Sequence, residues 1–211
     1  MASSLIHLAV AKKVNEVIRR DEKKILFGSV SPDISQCLGQ TKLYSHFLDG
    51  NESDNIPNMD SFLKKYKKNL NDDFVLGYYI HLYTAYFWFK FFLTEIVDNN
   101  DMITKLDGEK VKLNGLMLDL YVYNDYTNLN IQLIEKYNLD LEFLYRNNIN
   151  YDDILIEEIP KEKLEKLSES IVRIVKNTKI HKNFIFNIYN IAQFINTSSK
   201  LITEEILNMK I

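Results

Sequence analysis

An uncharged hydrophobic run, Phe74 to Phe89, dominates the pattern of the chain and reads FVLGYYIHLYTAYFWF. Residues that can cap a helix precede it at Asn71 to Asp73, so the pattern predicts a helix from about 72 to 97. The run is shorter than the roughly 20 residues of a membrane-spanning helix, and it contains a glycine and a histidine. We therefore expect the central buried helix of a globular domain.

One face of this helix combines aromatic residues with small and metal-binding ones at three- and four-residue steps, namely Phe74, Gly77, Tyr78, His81, Ala85 and Trp88. Gly77 weakens a helix but lets another backbone or an ion cluster come close. We therefore expect this face to line a site.

Amphipathic patterns predict further helices on both sides of the central one. The first of them has Ser3 or Ser4 as its cap and ends at about Arg20. The others cover Met59–Leu70, Gly115–Tyr137, Lys161–Asn177 and His181–Ser198, and a separate terminal piece begins at Ser198 or Ser199. Between them, Asp107-Gly108 predicts a tight turn between two short strands, ITKL and KVKL.

Composition supports an all-α, compact multi-helix bundle forming one domain over residues 1–211. Hydrophobic residues make up 46% of the chain, which has only 6 glycines and 3 prolines. The net charge of −3 gives no strong nucleic-acid signal. The single cysteine, Cys37, excludes an internal disulfide framework, and the N-terminal pattern is an amphipathic helix without the features of a signal peptide. These features predict a cytoplasmic protein.

The candidate chemistry lies in four residues of apolar or Gly/Pro-marked segments: His7, Asp33, His46 and His81. Each is ambiguous alone; a single histidine is often a core residue, and Asp33 after Pro32 could cap a turn. Together they form the imidazole and carboxylate set that zinc prefers. A carboxylate one helical turn after His81 would point at the same site, but Ala85 stands there.

Four segments in this order, SSLIHLAVA, FGSVSPDI, YSHF and GYYIHLYTAYFW, resemble the zinc-dependent phospholipase C family, which is related to the S1/P1-type nucleases. The resemblance covers about the first half of the chain. It implies an all-helical fold that hydrolyses phosphate esters with up to three zinc ions. It also implies that His7 binds one ion of a close pair, and that Asp33, His46 and His81 bind its neighbour.

The chain departs from the family pattern where an aspartate bridges the two ions, because that position is Ala85. This predicts one or two zinc ions at reduced occupancy, above all at the His7 ion. A natural degenerate member and a deliberately replaced carboxylate both explain Ala85. The third ion is expected to be absent, unless Asp125 with Asn124 or Asn128 makes a poorer oxygen site. Secreted relatives also use the α-amino group, which here would be that of Ala2 after removal of Met1.

The leading hypothesis is a metal-dependent hydrolase of phosphate esters, a phosphodiesterase that uses a two-zinc cluster and is impaired at Ala85. Asp33 could also act as general base. Lys42 could contact phosphate or be a solvated lysine, and Asn124, Asp125 and Asn128 could line a pocket or a helix surface.

The alternative is a catalytically inactive helical binding protein that retains the pocket; a redox or structural metalloprotein has little support. A small phosphorylated substrate is expected, but its identity as a lipid, a nucleotide or another phosphoester is not indicated by the sequence. The oligomeric state is not indicated either.

Overall fold

Helices make up most of the chain in a computed structural model, which describes residues 2–50, 55–98, 100–112, 118–145, 150–178 and 181–209. The α-helices are α1 Ser4–Ile18, α2 Glu22–Gly28, α3 Ile34–Cys37, α4 Met59–Tyr66, α5 Asp73–Phe87, α6 Asn124–Tyr137, α7 Glu142–Tyr145, α8 Leu164–Lys176 and α9 Ile188–Asn208. The strands are β1 Met102–Thr104 and β2 Lys110–Lys112. Shorter 3₁₀ turns cover Ser31–Asp33, Lys67–Asn69, Leu93–Glu95, Tyr151–Asp153 and Lys161–Lys163, and π-helical turns cover Trp88–Phe92 and Leu118–Tyr123. The predicted helical character is confirmed.

Side-chain caps begin the two helices that later contribute histidines to the site. The Ser3 hydroxyl accepts a hydrogen bond from the Ile6 N–H at 3.4 Å, and the Asp72 carboxylate accepts one from the Val75 N–H at 2.9 Å. Beyond α5 the chain continues through the π-helical and 3₁₀ turns to Glu95. The central helix predicted over 72–97 therefore exists, although its last third is not regular α-helix.

Two glycines let α2 and α5 cross in backbone contact. A methyl group at Gly77 would lie 2.2 Å from the carbonyl oxygen of Ile25, and one at Gly28 would lie 2.2 Å from that of Phe74. Only residues without a Cβ fit at this separation. The predicted close approach at Gly77 is confirmed, and the partner is the backbone of α2.

The predicted hairpin is present, with β1 antiparallel to β2 and Ile103 opposite Val111. Gly108 has a φ of +87°, the left-handed conformation that a glycine adopts readily in such a turn. The Leu106 N–H donates to the Phe184 carbonyl at 2.7 Å, which ties the hairpin to the chain before α9. Leu113 and the predicted helix start at Gly115 lie outside the described residues.

The prediction for the C-terminal region is wrong in its boundaries. The chain from 181 to 187 is not helical, and α9 begins at Ile188 and continues without a break through Ser198 and Ser199. Asn187 starts the helix with a reciprocal capping box. The Ser198 hydroxyl donates to the Phe194 carbonyl at 2.7 Å, so this serine is satisfied inside the helix and does not end it.

Buried apolar side chains of α1, α5, α6 and α9 join in one core through the described residues. Trp88 lies fully buried there, with its ring centroid 4.5 Å from that of Phe92 and 5.0 Å from that of Phe194. No helix in the described ranges combines the length and the apolar character that a membrane span requires.

Candidate metal centre

The structure brings together the four predicted ligands, His7 from α1, Asp33 from a 3₁₀ turn, His46 from the loop after α3, and His81 from α5. Their exposed fractions are 0%, 5%, 1% and 0%. Ligand atoms of His7, Asp33 and His81 all lie within 4.8 Å of one another. His46 joins them through its Nε2 atom, 3.1 Å from that of His81.

The crossing of α2 and α5 fixes the orientation of His81. Its Nδ1 atom lies 2.8 Å from the carbonyl oxygen of Ser29, the residue that follows Gly28. Because a carbonyl can only accept, His81 carries its proton on Nδ1. The Nε2 atom of the neutral ring then presents a lone pair to the cluster.

His46 is held from two sides. Its Nδ1 atom lies 2.9 Å from the Ser45 hydroxyl, and its Nε2 atom lies 3.6 Å from Asp33 Oδ1. The Tyr78 hydroxyl donates a short hydrogen bond to the Ser45 carbonyl and so anchors this loop on α5. The anchoring explains how a loop residue can have a fixed place in a buried site.

Unpaired polar atoms mark the centre of the cluster. The ring of His7 stacks on that of His81 at 3.8 Å and 10°, yet among the described residues neither of its nitrogens has a hydrogen-bond partner. Asp33 Oδ1 also has none. An unsatisfied buried polar atom costs roughly 1–3 kcal/mol, and native proteins leave few of them.

Burial sets the charge state of the three imidazoles. It lowers the pKa of His7 to about 3, with His46 acting in the same direction and Asp33 against it. Burial likewise lowers the pKa of His46, and holds that of His81 well below its ordinary value. At neutral pH all three rings are therefore uncharged, which is the form that binds a metal ion.

Asp33 behaves oppositely. Burial alone would raise its pKa, but the neighbouring imidazole of His46, with those of His81 and His7, outweighs burial and holds the pKa well below the usual range. Lys42 is half-buried near this carboxylate; burial lowers the pKa of Lys42, and Asp33 opposes that shift. The cluster thus presents one carboxylate and three neutral imidazoles.

This donor set fits a divalent ion of the zinc type. Neutral imidazole nitrogens and a carboxylate are the oxygen and nitrogen ligands that zinc prefers. Such an ion would give a partner to Asp33 Oδ1 and to one of the two unpaired ring nitrogens of His7. His81 lies on α5, which is in backbone contact with α2, and His46 lies on an anchored loop, so the movement of these two residues is limited.

Ala85 is fully buried one turn beyond His81. Its methyl group adds no ligand, so Asp33 is the single carboxylate in the cluster that the described residues form.

Asn124, Asp125 and Asn128, for which the sequence left a pocket wall, a helix surface or a third ion site open, make hydrogen bonds to backbone groups. The Asp125 carboxylate accepts hydrogen bonds from the backbone N–H groups of Phe184, Ile185 and Phe186, at 2.8, 2.6 and 2.8 Å. Asn124 and Asn128 donate to the Lys182 carbonyl, and Asn128 accepts from the His181 N–H. Because these polar groups bind backbone, the three residues hold the chain before α9 against α6.

Sequence reasoning missed the groups that orient the ligands. They are the Ser29 carbonyl and the side chains of Ser35, Ser45 and Tyr78. Ser45 stands next to His46, and Tyr78 lies on the predicted site face, so these two had a local signal. The roles of Ser29 and Ser35 depend on tertiary contacts that no spacing reveals.

No family model, no curated protein and no solved structure matches the chain. The resemblance to the zinc-dependent phospholipase C family therefore stays a prediction from four segments.

Proposed function

We propose that the protein is a metal-dependent hydrolase of phosphate esters, a phosphodiesterase, with a fold of the phospholipase C and P1 nuclease type. The observation that carries the proposal is the convergence of buried, unpaired ligand atoms from His7 and Asp33 beside the Nε2 atom of His81. A bound zinc ion would supply Lewis-acid polarisation of a phosphate oxygen and lower the pKa of a bound water.

The chain's own residues then have distinct roles. His7, His46 and His81 hold the ion as neutral ligands, and Asp33 is the anionic one. The lowered pKa of Asp33 keeps this carboxylate ionised and makes it a weaker base than an ordinary carboxylate, which argues against the general-base role that the sequence left open. Lys42, half-buried near it, would meet a phosphate oxygen as a point charge.

Charge balance favours one ion over two in this chain. Two divalent ions with Asp33 as their only carboxylate would leave three positive charges in a buried site, whereas one ion leaves one. A carboxylate at position 85 would lower the net charge of the site by one in both cases. Occupancy of a single site is therefore the expected state, with reduced hydrolysis.

A metal-binding protein without hydrolytic activity is the second candidate. The four residues are nearly inaccessible, and in this second candidate all four bind one ion in a closed site, whereas the hydrolase requires a coordination position left open for water. A cavity of about 620 Å³ beyond the end of α5, lined by Phe87, Phe91 and Phe194 among others, would give such a protein a place for an apolar ligand.

The test compares this chain with Ala85→Asp and its uncharged isostere Ala85→Asn. Zinc per chain is measured by elemental analysis, and hydrolysis by release of nitrophenol from bis(4-nitrophenyl) phosphate. The proposal expects about one zinc in the chain and in Ala85→Asn, with more zinc and faster hydrolysis in Ala85→Asp alone. Zinc at trace level in all three would overturn it. Zinc without hydrolysis in any of them would favour the second candidate.

We place the protein in the cytoplasm as part of the same proposal. Cys37 is a free, exposed thiol, which suits a reducing compartment. The substrate we propose is a small phosphorylated molecule, because no strong nucleic-acid signal is present in the net charge of −3.

A further inference from the structure

Two buried serine hydroxyls connect His46 to the backbone. The Ser45 hydroxyl lies 2.9 Å from His46 Nδ1 and 3.0 Å from the Ser35 hydroxyl, which lies 3.2 Å from the Pro32 carbonyl. Ser35 and Ser45 are 5% and 2% exposed, so water does not compete for these bonds. Each hydroxyl has one hydrogen to donate, and the direction of donation along the chain therefore depends on His46.

Without a metal ion the contacts require the proton of His46 on Nε2. The neutral His81 ring donates its Nδ1–H to the Ser29 carbonyl, so His81 Nε2 can only accept. It lies 3.1 Å from His46 Nε2, which is a hydrogen-bond distance. Asp33 Oδ1, 3.6 Å away, also attracts a proton at that position. His46 Nδ1 is then bare and accepts from the Ser45 hydroxyl.

As a ligand of the proposed metal ion, the same ring would present a bare Nε2 atom. Its proton then has to be on Nδ1, and a protonated Nδ1 needs an acceptor. Ser45 becomes that acceptor if its O–H turns about the Cβ–Oγ bond towards Ser35, whose own O–H points at the Pro32 carbonyl. Every hydroxyl hydrogen again has a partner.

We propose that Ser45 and Ser35 form a two-way hydroxyl switch that lets His46 change tautomer when a metal ion binds, without a buried group losing its partner. One proton leaves Nε2 and one arrives at Nδ1 through solvent, so the ring stays neutral and the proton count does not change. Both serines are positioning residues for His46. The inference rests on the proposed metal centre and adds the device that allows the site to exist with and without its ion.

The two serines have separable effects. Ser45 is needed in both states, so its loss weakens both. Ser35 is needed as an acceptor only in the metal-bound state, because in the metal-free state Ser45 donates to His46 instead. Ser35→Ala should therefore weaken zinc binding by on the order of tenfold, the usual effect of losing an outer-shell partner, and leave the metal-free tautomer unchanged.

The experiment follows the histidine ring nitrogens by two-bond ¹H–¹⁵N NMR, with zinc affinity measured by calorimetry. The expected result is an Nε2–H tautomer of His46 in the metal-free chain and an Nδ1–H tautomer with zinc. Ser35→Thr, which keeps the hydroxyl, should restore the affinity that Ser35→Ala loses. An Nδ1–H tautomer already present without zinc, or an unchanged affinity in Ser35→Ala, would overturn the switch while the metal centre stands. Absence of zinc binding would overturn both, and zinc binding with a tautomer change but no hydrolysis would overturn the hydrolase alone.

Discussion

Gly77→Ala tests whether the close crossing of α2 and α5 builds the site. The new Cβ would start 2.2 Å from the Ile25 carbonyl oxygen, and real contacts of this kind are essentially never under 3.0 Å. The helices must therefore separate by at least 0.8 Å, the difference between these distances. Ile25 offers backbone at the contact, so no side chain can turn away to relieve it.

The separation reaches the ligand one turn along α5. The hydrogen bond from His81 Nδ1 to the Ser29 carbonyl is 2.8 Å long, and a displacement of 0.8 Å along it gives about 3.6 Å, beyond hydrogen-bond length. Overpacking costs roughly 1–3 kcal/mol, and the lost buried bond a similar amount, against about 1 kcal/mol of improved helix propensity. The expected net loss of unfolding free energy is about 3 kcal/mol.

Urea denaturation of metal-free Gly77→Ala measures its unfolding free energy, and calorimetry measures its zinc affinity. The affinity should fall on the order of 10- to 100-fold. Gly108→Ala is the matched control. It adds the same methyl group where nothing lies within 4 Å, at a φ of +87°, and should cost roughly 1–2 kcal/mol without any effect on zinc. A Gly77→Ala protein within 0.5 kcal/mol of the original chain, with unchanged zinc affinity, would refute the role given to the crossing.

Three further predictions follow from the contacts. Burial lowers the pKa of His7 to about 3, so between about pH 6.5 and pH 3 the unfolded chain protonates this histidine while the folded chain does not. The metal-free protein should therefore lose about 2 kcal/mol of unfolding free energy through His7 when the pH falls from 7 to 5, which denaturation at pH 7 and at pH 5 measures. Asp125→Asn replaces one acceptor oxygen by a donor facing backbone N–H groups, and should cost roughly 2–4 kcal/mol with no change in zinc affinity by calorimetry. Tyr66→Phe removes the hydrogen bonds to Glu158 and from the Glu157 N–H, at 2.7 and 2.9 Å, and should cost about 1–2 kcal/mol in urea.

Local rules predicted those parts of the fold that local energies decide. Ser3 and Asp72 cap their helices because a side-chain oxygen beside free N–H groups is favourable whatever the rest of the chain does. The turn at Gly108 likewise follows from the φ that a tight hairpin demands. The start of α9 was missed because Asn187, with Asn190, forms a capping box that the apolar pattern around it conceals.

The four residues that meet in the candidate site could be proposed from the sequence, but the groups that hold them in place could not. Nothing in the spacing of Pro32, Ser35 and Ser45 shows that the three form one hydrogen-bonded chain. The sequence leaves Asp125 open as a pocket residue or a helix-surface residue, and only the folded chain shows that it accepts hydrogen bonds from the backbone N–H groups of Ile185 and Phe186. Long-range partners decide what such a residue does.

His7 offers the sharpest separation of a functional residue from a structural one. Its two ring nitrogens lack partners among the described residues, so it destabilises the metal-free fold, and His7→Leu, of similar volume, should stabilise that fold by roughly 1–3 kcal/mol in urea. The same variant should lose the stabilisation that zinc gives, about 2.7 kcal/mol at a hundredfold excess over Kd. His46→Leu is the matched control, because it strips partners from Ser45 and His81 and should destabilise the metal-free protein. If His7→Leu instead destabilised the metal-free fold, or kept the full response to zinc, His7 would be an ordinary core residue. The metal centre would then lose its main support, because a residue that destabilises the fold is expected at a functional site and not in an ordinary core.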